Sequence, residues 1–229
     1  MTTEAPPRAA ALTRVDVVSD AICPWCWIGK RHLEGALARL ADEGERFEVH
    51  WRPFQLNPDM PREGVERAAY RAAKFGSLER SRELDAQVAA AGAAAGLEFR
   101  FDRQRRTPNT VDAHRLIRHA GAVGGAARQD AVVEALFHAY FQDGRDIGSA
   151  AVLAEVASSA GLQNAAAFLA SGEGEEGVIE EDAGFRRLGI SGVPSFALAG
   201  HVLFSGAVPA ERMADAFRRA LAILRGQAQ

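Results

Sequence analysis

Two cysteines occur in the 229-residue chain, and they lie two residues apart in Cys23-Pro24-Trp25-Cys26. Thiols at that spacing can close a small disulfide ring, so the pair can give up and take back two electrons. The apolar run Val15-Asp16-Val17-Val18 precedes them, and a stretch with helical periodicity, Trp27 to Leu40, follows. Cys23 therefore falls at a helix N-terminus, where unpaired N–H groups and the helix dipole stabilise a thiolate. Pro24 suits the first turn, where its missing N–H costs nothing. Cys23 is the expected nucleophile. Cys26, one turn in, is the expected resolving thiol, which attacks the mixed disulfide formed on Cys23. Pro24 and Trp25 set how well the thiolate is stabilised and flank any bound thiol.

A metal site is the competing use of such a pair, but a structural zinc needs four Cys or His ligands. There is no second cysteine pair, and the histidines at 32, 50, 114, 119, 138 and 201 show no ligand-like spacing, so no metal is expected. Asp20, three residues before Cys23, can serve as a proton-transfer group for the resolving thiol or as a helix cap. Lys30 can add positive charge near the thiols, but a solvated helix lysine is its default reading. Asn57, in Phe54-Gln55-Leu56-Asn57-Pro58, can reach a substrate or close a turn. Val193-Pro194 stands just before an apolar strand. A cis bond there would turn the Val193 backbone toward an extended peptide or thiol ligand, and a trans proline at a strand start is the alternative. His114 with Arg115 and Arg118, and the acidic residues from Glu173 to Asp182, read by default as solvated helix faces.

These residues need elements to hold them. Arg14 to Ser19 is short, β-branched and mostly apolar, as a buried strand is. Phe47, Val49 and Trp51 alternate with polar residues as a second strand, which makes a βαβ opening around the cysteines. From about Val65 to Gly172 the chain is Ala-rich, with helical periodicity over about 64–75, 78–95, 109–121, 126–142, 149–160 and 164–171, and glycines between the segments. Phe99 and Phe101 suggest a short extended piece. An acidic helix over 175–188, a hairpin of Ser195–Leu198 and His201–Phe204, and a last helix from Pro209 give an αββα ending. The expected fold class is α/β: a thioredoxin fold, βαβ…αββα, with a large all-helical insertion. Its domains are a discontinuous thioredoxin-like domain, 14–62 and 173–226, a helical insertion, 63–172, and a flexible N-terminus, 1–13.

Composition narrows the setting. The apolar fraction of 48% supports a full core, and a net charge of −3 suggests neither a nucleic-acid nor a membrane-surface partner. No run nears the roughly 18–20 apolar residues of a membrane span, and no signal-peptide pattern opens the chain. A cytoplasmic protein is expected, where so close a pair is catalytic rather than structural.

The segment from Ser19 to Lys30 resembles the FrnE-like group of DsbA-family thioredoxin-like proteins. So do Arg52–Pro58, Pro108–Arg115, Ala139-Tyr140-Phe141 and Gly189–Pro194, in the family's order over about residues 14–225. The resemblance implies a thioredoxin fold with a helical insertion, Cys23 and Cys26 as the redox pair, and Pro194 as a cis proline. The same superfamily includes 2-hydroxychromene-2-carboxylate isomerases and kappa-class glutathione transferases, which typically carry Ser at the position of Cys23. Similarity to them makes Asn57, Val193 and Ser205-Gly206 candidate thiol-ligand contacts. Some FrnE-like proteins carry a second cysteine pair near the C-terminus, which this chain lacks.

The expected function is thiol–disulfide oxidoreductase or disulfide isomerase, acting on protein or small-molecule thiols and disulfides. It has no bound cofactor, with glutathione a candidate reductant or co-substrate. Two alternatives stand beside it: a glutathione-dependent isomerase or transferase of a small aromatic substrate, and a non-enzymatic peptide-binding or chaperone module. The insertion is expected to lid the site, and its Ala-rich helices could form a homodimer interface.

Overall fold

The computed structural model describes residues 12–227; the expected N-terminal lead-in thus falls almost wholly outside the described residues. Strand β1 (Thr13–Ser19) is the centre of a four-stranded sheet. It pairs in parallel with β2 (Phe47–Pro53), with Val15 opposite Val49 and Val17 opposite Trp51. A parallel pair needs a crossover, and α1 (Pro24–Asp42) supplies it. On its other edge β1 runs antiparallel to β5 (Ser195–Leu198), which turns back as β6 (His201–Ser205). The sheet order is therefore β2-β1-β5-β6. Val15, Val17 and Val18 are buried, while Arg14 and Asp16 stay at least partly exposed. The tight β5–β6 turn places Ala199 and Gly200 at φ of 49° and 84°, a primed-turn geometry in which Gly200 is at ease and Ala199 is not.

Between the two halves lie α2 (Arg67–Phe75), α3 (Leu78–Ala94), α4 (Val111–Phe141), α5 (Ala150–Ser159) and α6 (Ala165–Ala170). Helix α7 (Glu175–Arg187) leads back to the sheet, and α8 (Ala210–Gln227) packs against α1. The two helices expected over 109–121 and 126–142 are present as the two arms of α4, which meet at Gly125, whose φ of 70° and ψ of −173° interrupt the helical path. The expected extended piece at Phe99 and Phe101 is absent. Both rings sit in the loop after α3, stacked on each other and packed on Phe141. A two-stranded ribbon forms nearby instead, β3 (Val65–Glu66) with β4 (Arg106–Thr107). Two residues per strand leave no periodicity to read.

Buried side chains of the sheet half and of the helical insertion form one continuous core. Helix α4 is the principal link. Its Gln129 side chain accepts from the Trp51 backbone N–H at 2.9 Å and donates to the Trp51 carbonyl at 3.1 Å, covering the free edge of β2. Trp27 of α1 stacks on Phe137 and Phe141 of α4, with Phe99 edge-on. Among the described residues no helix is long and apolar enough to cross a membrane.

Candidate active site

The dithiol is set by the end of β1. After Ser19 the chain turns, and the Asp20 carbonyl accepts the Cys23 N–H at 3.0 Å. Cys23 is the N-cap residue of α1 and Pro24 occupies its first turn. Both cysteines are buried thiols, but differently placed. Cys23 lines a cavity of about 350 Å³, together with Pro24 and the half-exposed Trp25. Cys26 is sealed within the core. Burial, then contact with Cys23, pushes the Cys26 thiol well above its ordinary value, while the Ser19 hydroxyl and the Asp20 backbone pull the other way. A thiol so held stays protonated at neutral pH and can donate to the Cys23 sulfur.

The Val193-Pro194 bond is cis, and the Val193 carbonyl lies 3.6 Å from Cys23 Sγ, close enough to accept a weak S–H hydrogen bond. Gly29, on α1, makes this approach possible. A Cβ there would stand 2.9 Å from Pro194 Cγ and 3.3 Å from Phe196 Cζ. The expected ligand contacts Ser205 and Gly206 do not line the cavity. Ser205 Oγ shares a 2.6 Å hydrogen bond with Ser195 Oγ, and the Gly206 N–H donates to the Pro194 carbonyl at 2.7 Å. They brace the proline loop from behind.

Asn57 does line the cavity, and its Oδ1 accepts from Tyr70 and, at 3.2 Å, from Lys74 Nζ. Lys74 also donates to the Tyr70 hydroxyl at 2.6 Å. Arg67 and Arg71 share the single carboxylate of Asp85, at 2.8 and 2.6 Å. Three cations of α2 thus face one anion across the cavity, above a floor that includes Phe101, Phe141 and Val88. Reading the sequence for motifs missed these α2 residues. The signal was available in the spacing 67, 70, 71, 74, one helix face bearing the large polar side chains of an Ala-rich run.

Asp20 is fully buried. Its Oδ2 accepts the Leu56 N–H at 2.7 Å and its Oδ1 lies 3.5 Å from the Ile22 nitrogen. It therefore ties the two lips of the cavity together and does not cap the first turn of α1, one of the two uses expected of it. His114 Nε2 stands 3.4 Å from Asp20 Oδ1.

Four residues expected on solvated faces are buried. His114 and Arg115 are each 2% exposed, Lys30 is 3% and Asp182 is 4%. Arg115 donates to the carbonyls of Phe168, Leu169 and Glu173, satisfying the end of α6. Asp182 accepts the Gln55 N–H at 3.0 Å. Lys30 points away from the dithiol into Glu34, Asp130 and Glu134. Burial drags its ammonium down, but those carboxylates outweigh burial and raise it. A helix-face pattern cannot show which face a neighbouring element will cover.

The comparison with known families now decides the grouping. The model of the DSBA-like thioredoxin domain matches residues 14–218. The chain belongs to this family. Among solved structures, the family likeness is strong to a probable DsbA oxidoreductase, SCO1869 of Streptomyces coelicolor. The two are 32% identical with a TM-score of 0.81, over 92% of this chain and 90% of that one. The cytosolic disulfide reductase DsbM of Pseudomonas aeruginosa, solved with GSH, is 20% identical with a TM-score of 0.60, over 94% and 98% of the two chains. A 2-hydroxychromene-2-carboxylate isomerase is 17% identical with a TM-score of 0.63, over 94% and 98%. The last two likenesses speak for the fold alone.

Proposed function

We propose that the protein is a thiol–disulfide oxidoreductase or disulfide isomerase in which Cys23 attacks and Cys26 resolves. The observation that carries this reading is the asymmetry of the pair: Cys23 opens into the cavity at a helix N-terminus beside the Val193 carbonyl, and Cys26 lies sealed behind it. The Cys23 thiolate attacks one sulfur of a substrate disulfide, and the other sulfur leaves with the bonding pair and takes a proton. Cys26 then loses its proton and attacks Cys23 Sγ. The second substrate sulfur is released as a thiolate, and two electrons have passed from the dithiol to the substrate. Val193 and Pro194 present the substrate, and Pro24, Trp25 and Asn57 flank it. Asp20 is a candidate for proton transfer. The sulfur atoms carry the electrons themselves, so the reaction needs no bound metal or cofactor.

Glutathione suits the role of reductant or co-substrate. It is a small anionic thiol, and the cavity carries three cations against one carboxylate. A cytoplasmic setting, where glutathione keeps thiols reduced, fits that use. The relative DsbM is described as cytosolic and was solved with GSH.

The test is insulin reduction and repair of scrambled ribonuclease. Cys23→Ser should abolish both, and Cys26→Ser should accumulate mixed disulfides. Full activity in Cys23→Ser would overturn the reading. The potential of the pair in a glutathione buffer sets direction: about −300 mV or lower marks a reductase, about −150 mV an oxidant or isomerase. The same cationic cavity also suits a glutathione-dependent isomerase or transferase acting on a small aromatic compound. Glutathione-dependent turnover that survives Cys26→Ala would favour that second reading.

A further inference from the structure

Behind the dithiol lies a second, much smaller void. Its lining includes Ser19 from β1, Arg52 from β2 and His114 from α4, and its volume is about 10 Å³. That is about the room one water molecule needs. Ser19 and His114 are both buried, and the Ser19 side chain is among the groups that pull the raised Cys26 thiol back down. His114 Nε2 is shut off from solvent and makes no hydrogen bond, and the carboxylate of Asp20 waits 3.4 Å away.

The other charged or titratable groups around this point are paired or offer no proton acceptor. From β2, Arg52 binds Asp16 at 2.7 Å and Glu181 of α7 at 3.0 Å. Arg118, on the next turn of α4, lies 3.6 Å from Glu181 and its buried Nη1 makes no hydrogen bond, but a guanidinium offers no acceptor for a proton. Tyr140, near the far end of α4, donates its hydroxyl to the Arg106 carbonyl at 3.2 Å. Asp20 Oδ2 is taken by Leu56. Among the described residues at this void, His114 is the titratable group with a nitrogen left over.

We propose that His114 is the terminal proton acceptor for Cys26, reached through the Ser19 hydroxyl and one water in this void, with Asp20 as the positioning residue that stabilises the imidazolium. This rests on the reading that Cys23 attacks and Cys26 resolves. In the mixed disulfide, the Cys26 S–H proton moves to Ser19 Oγ while Ser19 passes its own proton through the water to His114 Nε2. The freed pair on Cys26 sulfur forms the bond to Cys23 Sγ. The bond from Cys23 to the substrate sulfur breaks, and its pair leaves on that sulfur, which takes a proton from water at the cavity mouth. The dithiol is oxidised and the substrate disulfide reduced. The proton on His114 returns to Cys26 when the pair is reduced again. An internal route is faster because Cys26 is wholly buried and solvent hydroxide reaches it only when the core around it opens.

The experiment follows the reduction of 5,5′-dithiobis(2-nitrobenzoate) by the reduced protein under single-turnover conditions. The first thionitrobenzoate released reports attack by Cys23, and the second reports attack by Cys26. In His114→Gln the second phase should slow by about 10²-fold near pH 7 and should rise tenfold per pH unit as hydroxide replaces the imidazole. The first phase should keep its wild-type rate. Ser19→Ala, which removes one oxygen and keeps the fold, should slow the second phase in the same direction, and it decides the matter if His114→Gln does not fold. A second phase with wild-type rate and pH profile in these variants overturns the proposal, and so does an equal slowing of both phases. Absence of the first phase in the wild-type protein would instead defeat the underlying reading of Cys23.

Discussion

Helix α1 begins in a cavity and continues in a core, and the two ends of its first turns contrast sharply. At its start, Cys23 and the half-exposed indole of Trp25 meet open space and a cationic wall. Two residues on, Trp27 is 1% exposed between Phe99, Phe137 and Phe141, and its Nε1–H donates to Glu134 at 3.2 Å. Lys30 is nearly as buried, within a cluster of carboxylates. The difference separates two jobs that one helix must do. The reactive sulfur needs access, while its position relative to Val193 and Pro194 tolerates little movement. Clamping the second turn of α1 to α4 supplies the rigidity without crowding the first.

The contrast can be broken most severely at its buried end. Trp27→Ala should destabilise the protein by about 3–5 kcal/mol, the usual loss for a fully packed aromatic. Trp25→Ala should change stability by no more than about 0.5 kcal/mol, because its ring is half in solvent, and should act on substrate turnover instead. Urea denaturation of both variants beside a disulfide-reduction assay checks this. Equal stability losses would deny that the two turns differ.

A smaller effect is expected at Lys30. Removing it by Lys30→Met leaves Asp130 and Glu134 facing each other without its charge, and should cost about 1–3 kcal/mol, below the value for a wholly buried pair because the carboxylates are partly exposed. The variant should also change the acid limb of stability. Burial alone would raise the carboxyl of Glu134, but Arg31, Lys30 and Trp27 together hold it below its ordinary 4.5. Its contribution is thus fully present above pH 4.5 and is lost as pH falls through the lower folded-state value. In Lys30→Met that loss should shrink, leaving the part due to Arg31 and Trp27. Urea midpoints between about pH 3 and pH 7 measure it, and an unchanged acid limb would show that Lys30 does not act on Glu134.

The smallest effect on stability, and the one that sharpens the open end, belongs to Lys74. It is exposed and bound to the neutral oxygens of Asn57 and Tyr70. Lys74→Ala should leave the urea midpoint almost unmoved and raise KM for an anionic disulfide by about tenfold, the worth of a charge-assisted hydrogen bond. KM for an uncharged disulfide should stay the same. A fall in affinity for both would assign Lys74 a packing role.

Much of this arrangement is legible in the chain. The Cys23-Pro24-Trp25-Cys26 spacing, the apolar strand before it and the apolar hairpin after Val193-Pro194 are local patterns, and local patterns survive into the fold because each element buries the face its own periodicity defines. The ribbon of Val65-Glu66 with Arg106-Thr107 was not legible, because two residues of strand carry no period. Nor was the burial of Lys30, His114, Arg115 and Asp182. Each lies on a polar helix face that looks like any solvated one until another element covers it.

The sequence by itself determined the dithiol, the helix that opens on it, the order of elements around it and the proline that follows far along the chain. These depend on residue type and short-range spacing. Only the tertiary structure decided that Cys23 faces a cationic cavity while Cys26 is sealed, that α2 supplies the charge, and that His114 stands behind the pair against Asp20. The physical reason is that burial and electrostatic partnership arise between elements far apart in the chain, and desolvation and Coulomb interaction act through space.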